Sequence, residues 1–276
     1  MEVRYVPDPI RFERMNTSEL RKEMLVDNLF KPGEITLLYS DVDRAIIGSA
    51  TPTGGGLKLV AGEELKAEYF AQRREIGVIN IGGDGSITVD SETYSLVKFE
   101  ALYIGRGSKD IEFKSAKADN PAKFYILSYP AHMSYPTTHI TIQAAEPVKL
   151  GSSKECNERT IYKYVHPGGV KSCQLVMGCT LMEEGSVWNT MPAHTHERRS
   201  EIYMYFDLDD DASMFKFIGK PDETRHIVVK NGQAVISPSW SIHSGAGTTN
   251  YSFIWAMGGE NQDFGDMDHI AVKDLR

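Results

Sequence analysis

The stretch GSVWNTMPAHTHERRSEIYMYF, residues 185–206, decides how the rest of the chain is read. Its centre is His194-Thr195-His196. Two residues apart on a helix, the imidazoles would point about 200° away from each other; on a strand they share one face. Glu201 lies five residues past His196 and has the wrong parity for that face within one straight strand. The charged segment Glu197–Ser200 reads as a turn, so Glu201 opens the next strand and its carboxylate approaches the same point from an adjacent position. A fourth donor comes from Pro238-Ser239-Trp240-Ser241-Ile242-His243, which follows a hairpin turn at Asn231-Gly232 and a strand ending at Ile236. A lone His-x-His is commonly a surface pair. With Glu201 and His243 added, the set is three neutral imidazoles and one carboxylate, suited to zinc, iron, manganese or nickel with positions left open for a substrate.

Outward from this segment the chain reads as short strands. The early part differs: Leu20, Met24, Leu25 and Phe30 stand near helical spacing, Ser18 is a reasonable N-cap, and Lys31-Pro32-Gly33 stops a helix running to about Leu29. Glu34–Tyr39, Arg44–Ile47, Leu57–Leu59, Ile76–Ile81, Ser86–Val89 and Leu102–Ile104 form a first β-rich series. The glycine clusters at 54–56 and 82–85 lead into no helix, so they are hairpin turns rather than phosphate cradles. A second series runs Thr160–Val165, Cys173–Met177, Val187–Met191, Glu201–Phe206, Met214–Ile218, His226–Val229, Ala234–Ile236 and Ser252–Met257. The acidic run at Asp207, Asp209, Asp210 and Asp211 lacks the glycine and terminal glutamate of a calcium loop and reads as a solvated turn.

Two successive sets of short strands with no βαβ alternation predict an all-β protein of two antiparallel β-sandwich or jelly-roll barrels with a short N-terminal helical segment. The expected division is an N-terminal extension over 1–35, a first barrel over 36–145, a polar connector over 146–158 and a second, metal-bearing barrel over 159–276. The length of 276 residues accommodates two such domains. Lys and Arg total 30 against 38 for Asp and Glu, a net charge of −8 with no basic block, which argues against nucleic acid and against anionic membranes. The three cysteines, Cys156, Cys173 and Cys179, form no CxxC pair, which fits a reducing compartment. The charged N-terminal segment has no apolar core of a signal peptide, and the longest apolar run, Phe253–Met257, is far short of a membrane span. The expectation is a cytoplasmic protein.

The pattern His-x-His-x4-Glu followed by Gly-x5-Pro-x4-His resembles the two signature motifs of the cupins, small jelly-roll barrels that hold a metal inside. Gly185 stands nine residues before His194 where the consensus has six, Trp240 replaces a usual glycine, and Gly247 stands where an asparagine is usual. A degenerate first copy ends in Glu75-x6-Gly82, but the positions matching the histidines are Glu68 and Phe70. The first half contains only His132 and His139, so the first barrel is expected to be metal-free.

Residues 188–196, Glu223-Thr224-Arg225-His226, residues 236–245, residues 258–264 and the opening Arg4-Tyr5 are similar to the 5-dehydro-4-deoxy-D-glucuronate isomerases, a bicupin family of ketol-isomerases, over essentially the whole chain. The resemblance implies a cytosolic, hexameric enzyme of pectin and uronate catabolism with one zinc per subunit on His194, His196, Glu201 and His243. The implied reaction moves a proton between C2 and C1 of a deoxy-ketouronate through an enediolate, which a divalent metal stabilises as a Lewis acid. The base is open among Glu201, His226, Tyr203, Tyr205 and metal-bound hydroxide, and the two tyrosines share a strand face with Glu201. The substrate carboxylate calls for a cation, with Arg159, Lys163, Arg198, Arg199 and Arg225 as candidates. Two other classes stand beside this one: a cupin dioxygenase using iron in the same ligands, and a sugar-binding module without turnover.

Overall fold

The computed structural model describes residues 1–263 and 265–276. Phe264, the last residue of the 258–264 stretch singled out above, lies outside the described residues. The chain is all-β, and it divides into two compact units whose segments interleave along the sequence. The first comprises 1–4, 28–146 and 163–177; the second comprises 5–27, 147–162 and 178–276.

The first unit has a seven-stranded sheet in the spatial order Glu2–Arg4, Ile35–Ser40, Ile46–Ala50, Phe124–Pro130, Arg74–Asn80, Ala101–Ile104 and Thr138–Ile140. Its second sheet orders Leu57–Lys58, Ile111–Ser115, Gly85–Val89 and Glu92–Leu96. Ile76, Val78, Ile126 and Phe124 from the larger sheet and Ile87, Phe113 and Leu96 from the smaller fill one core.

The second unit repeats this plan. Its seven-stranded sheet runs Val148–Leu150, Arg159–Val165, Val176–Met182, Ser252–Gly259, Arg199–Phe206, Gln233–Ser237 and Leu25–Val26. The four-stranded partner runs Trp188–Asn189, Ser244–Gly247, Met214–Lys220 and Glu223–Val229. Position for position the two topologies agree, so Arg74–Asn80 and Arg199–Phe206 are equivalent strands. They differ at both edges: Glu2–Arg4 runs parallel to its neighbour, whereas Val148–Leu150 runs antiparallel. The seventh strand of the first sheet comes from just downstream, at 138–140, whereas that of the second comes from residues 25–26, far upstream.

That edge strand explains where the N-terminal helix departs from expectation. The helix spans Thr17–Met24 and is capped by Asn16, whose side chain accepts from the Glu19 amide while the Glu19 carboxylate accepts from the Asn16 amide. The cap is therefore Asn16 and not Ser18. Leu20 and Met24 are buried, but Leu25 and Val26 leave the helix to pair with Val235 and Ala234. Ladder bonds on a sheet edge outweigh one more turn of marginal helix.

Other boundaries also move. The strand expected at Cys173–Met177 is Val176–Met182. The turn before Glu201 is shorter than Glu197–Ser200, since Arg199 and Ser200 already pair with Gly259 and Gly258. The polar segment 146–158 contains the strand Val148–Leu150, paired with Arg159–Ile161. Phe124–Pro130, expected as no strand, is central to the first sheet and buried except at its end.

Candidate metal centre

Four side chains from three neighbouring segments converge inside the second unit. His194 sits on the two-residue strand His194–Thr195, which pairs antiparallel with Asp268–His269. His196 follows it. The turn at 197–198 then delivers Glu201 on the strand Arg199–Phe206, and His243 enters just ahead of Ser244–Gly247. The loop ahead of His194 is fixed by the Tyr251 hydroxyl, which donates to Asn189 Oδ1 at 2.6 Å. Trp240, at the position where a cupin glycine is usual, packs edge-on against Phe12 at 5.1 Å between ring centroids.

One donor atom from each of His194, His196, Glu201 and His243 lies within 4.8 Å of every other. His194 Nε2 is 3.1 Å from His196 Nε2 and 2.9 Å from His243 Nε2. Glu201 Oε1 is 3.1 Å from His196 Nε2, and its Oε2 is 3.2 Å from His243 Nε2. His196, Glu201 and His243 are buried, and His194 is partly exposed. Behind His196, Asp266 Oδ1 stands 3.2 Å from Nδ1 and accepts from Arg199 Nη2 at 2.7 Å, and the same Nη2 stands 3.2 Å from Nδ1. With its proton on Nδ1, His196 turns a lone pair toward the cluster, the carboxylate–histidine arrangement that orients a metal-bound imidazole. Imidazole nitrogens facing one another at about 3 Å beside a buried carboxylate leave lone pairs opposed, and a cation resolves that opposition. The set fits a divalent metal ion.

The electrostatics agree with ligands ready to bind. Burial pushes His194 down to about 4, against the opposing pull of Glu201, and drives His243 well below an ordinary imidazole. Burial acting alone would raise Glu201, but His243, His196 and His194 together hold its carboxyl far below the usual range. His194 and His243 are thus neutral and the Glu201 carboxylate ionised at neutral pH.

Tyr203 and Tyr205 share the inner face with Glu201 and are buried. The Tyr203 ring stacks on His243 with centroids 5.7 Å apart, and burial together with Glu201 drives its phenol well above 10. His226 does not join them. It is exposed, packs on the outward-facing Phe215 at 5.8 Å, and has the opposite strand parity from the buried Ile227. Its expected role as a base therefore has no geometric support.

The expected carboxylate-binding cations are mostly engaged elsewhere. Arg225 donates to the backbone carbonyls of Met15, at 2.6 Å, and Glu13. Arg159 donates to Asn157 O at 2.8 Å, Lys163 pairs with Glu146 at 3.6 Å, and exposed Arg198 pairs with Glu260 at 3.4 Å. Arg199 alone among them is at the cluster, buried against Asp266.

Three residues the sequence reading passes over stand close to the site. Asp266 orients His196. His269 is exposed with its ring 5.7 Å from that of His194. Lys216 is fully buried, with Nζ 3.5 Å from the Tyr203 ring centroid. A signal for Lys216 was present in Met214-Phe215-Lys216-Phe217-Ile218, where alternation puts the lysine in phase with two core residues. Asp266 and His269 lie in no periodic segment.

Comparison with known proteins places this geometry. The profile of the KduI/IolB family matches residues 27–272. The chain is 57% identical to a 4-deoxy-L-threo-5-hexosulose-uronate ketol-isomerase of Lachnoclostridium phytofermentans and 55% identical to one of Halalkalibacterium halodurans, in each case over 276 residues and the whole of both chains. Among solved structures, an IolB-like protein from Salmonella typhimurium is similar with a TM-score of 0.71 at 12% identity, over 90% of this chain and 96% of that one. Oxalate decarboxylase from Bacillus subtilis is similar with a TM-score of 0.52 at 11% identity, over 79% of this chain and 69% of that one. These two likenesses concern the fold.

Proposed function

The chain belongs to the KduI/IolB family, and from that membership we propose that it is a zinc-dependent ketol-isomerase converting 5-dehydro-4-deoxy-D-glucuronate to 3-deoxy-D-glycero-2,5-hexodiulosonate. The observation that supports this most is the buried cluster of His194, His196, Glu201 and His243, set in a chain aligned end to end with ketol-isomerases. These four residues would hold the metal. When bound, it supplies Lewis-acid polarisation of the substrate carbonyl and stabilises the enediolate.

The remaining work falls to the chain. Asp266 keeps the proton of His196 on Nδ1 and so keeps Nε2 available. Buried aromatic rings of Tyr203, Tyr205 and Phe253 pack behind the ligands and exclude water from the reacting carbons. Of the groups able to take the proton from C2, Glu201 is held ionised while Tyr203 and Tyr205 are held protonated. We assign the acceptor role to the Glu201 carboxylate, with the Tyr203 phenol as its hydrogen-bonding neighbour. The protein acts in the cytoplasm as a hexamer in this reading; no helix in the described residues is long and apolar enough to cross a membrane.

Incubating the purified protein with the lyase-derived ketouronate and following aldehyde loss by NMR tests the proposal. Conversion at equal rates with and without oxygen supports it. Oxygen uptake would establish the dioxygenase reading instead, and binding without turnover the sugar-binding one.

A further inference from the structure

Lys216 is an expensive residue in its position. It lies on Met214–Lys220 between Ile227 and Gly245 of the neighbouring strands and is wholly buried. No hydrogen-bond acceptor among the described residues reaches its Nζ, and its near neighbour is the face of Tyr203. A buried ammonium is retained against a large desolvation cost only when something compensates it. Two more buried polar atoms on the inner face of the same unit lack a partner, Tyr205 Oη and Ser237 Oγ. Ser237 is directly across the ladder from Glu201 and so shares its face. The inner surface thus combines a cation and two hydroxyls with unused hydrogen-bonding capacity beside a metal-ligand cluster.

We propose that Lys216 is the specificity-determining cation of this barrel, its ammonium receiving the carboxylate of an acidic sugar whose carbonyl end reaches the four metal ligands. This assignment rests on the uronate reading above. The arginines that might have served are committed, Arg225 to backbone carbonyls and Arg199 to Asp266. Burial holds the Lys216 amine well below an ordinary lysine, with Glu201 opposing, so an entering carboxylate meets a group whose charged form is weakly solvated and strongly improved by an anionic partner.

The probes are D-glucuronate and D-glucose, which differ only in carrying a carboxylate or a hydroxymethyl at C6. The metal-loaded protein binds glucuronate at least about tenfold more tightly than glucose, and K216M abolishes that preference while keeping its metal content. In turnover K216M raises KM about 10- to 100-fold and changes kcat much less, and K216R restores part of the loss. In the unsubstituted protein, the ε-carbon resonance of one buried lysine shifts with glucuronate and not with glucose; this keeps the test decisive if K216M fails to fold. An unchanged preference and KM in folded K216M, or no lysine shift in the unsubstituted protein, overturns the assignment. If the ketouronate is not isomerised but the glucuronate preference depends on Lys216, the activity reading fails and the anchor stands. If it is isomerised equally by K216M, the reverse holds.

Discussion

Glu75 and Glu201 occupy equivalent strands of the two units and have opposite fates. The Glu75 carboxylate is saturated from within its own unit: Oε2 accepts from the Tyr103 hydroxyl at 2.8 Å and the Cys173 amide at 2.7 Å, and Oε1 from the amides of Gln174 and Leu175 at 2.7 and 2.9 Å. Glu201 faces imidazoles. One fold position thus produces a strut where three backbone amides and a hydroxyl donate to it, and a member of a candidate metal-ligand cluster where its neighbours are imidazoles with lone pairs of their own. The difference traces to two residues upstream, where the second unit has His194 and His196 and the first has exposed Glu68 and buried Phe70.

Breaking the two carboxylate sites should therefore give different phenotypes. H194A is expected to lose bound metal and to drop turnover at least about 10³-fold, measured by elemental analysis and the aldehyde-loss assay; the unsubstituted chain should hold one metal ion, all of it in the second unit. Full activity without metal would remove the basis of the mechanism. E75Q should instead lower stability by about 3 kcal/mol, since an amide cannot accept from four donors as a carboxylate does, while metal content and KM in the folded fraction stay unchanged; denaturant titration reads the first and the assay the second. A smaller effect is expected for D266N, which removes the charge that fixes His196: metal affinity should fall about 10- to 100-fold, read by competition with a chelator.

The pH dependence of the metal-free protein sharpens the contrast further. His194 titrates at about 4 in the fold against 6.5 when free, so between those values the unfolded chain holds a proton that the folded chain does not. Stability is full above about 6.5 and declines as pH falls toward 4, and the depressed Glu201 carboxyl adds a loss of the same sign at lower pH. Metal should raise stability across this range without flattening the decline, because His194 is neutral in the fold above about 4 with or without it. Thermal melts of the metal-free and metal-loaded protein across pH 4–7 measure it.

The convergence of the four residues was legible because each lies in a short motif whose spacing has geometric meaning: His194 and His196 by strand parity, Glu201 by the intervening turn, His243 by a proline-led segment after a hairpin. What stayed hidden depends on pairing between distant segments. Asp266 reaches His196, 70 residues away, because Asp268–His269 pairs with His194–Thr195, and neither segment carries a periodic signal. Phe124–Pro130 was missed because a strand buried on both faces shows no alternation. Arg225 and Arg159 were over-read, since a lone basic residue in a sequence gives no sign that backbone carbonyls engage it.

The edge strand Leu25–Val26 also sets an order of events. Its partners Ala234 and Val235, and the Arg225 that grips Met15 across 210 residues of sequence, are synthesised long after it. Residues 5–27 must wait, unpaired, while the intervening chain is made, and the sheet behind Glu201 lacks its edge until they dock. Such sequence-distant closure is slow and exposes a strand edge in the interval. The earliest-made segment of the second unit thus finds its partners only once residues 225–235 exist.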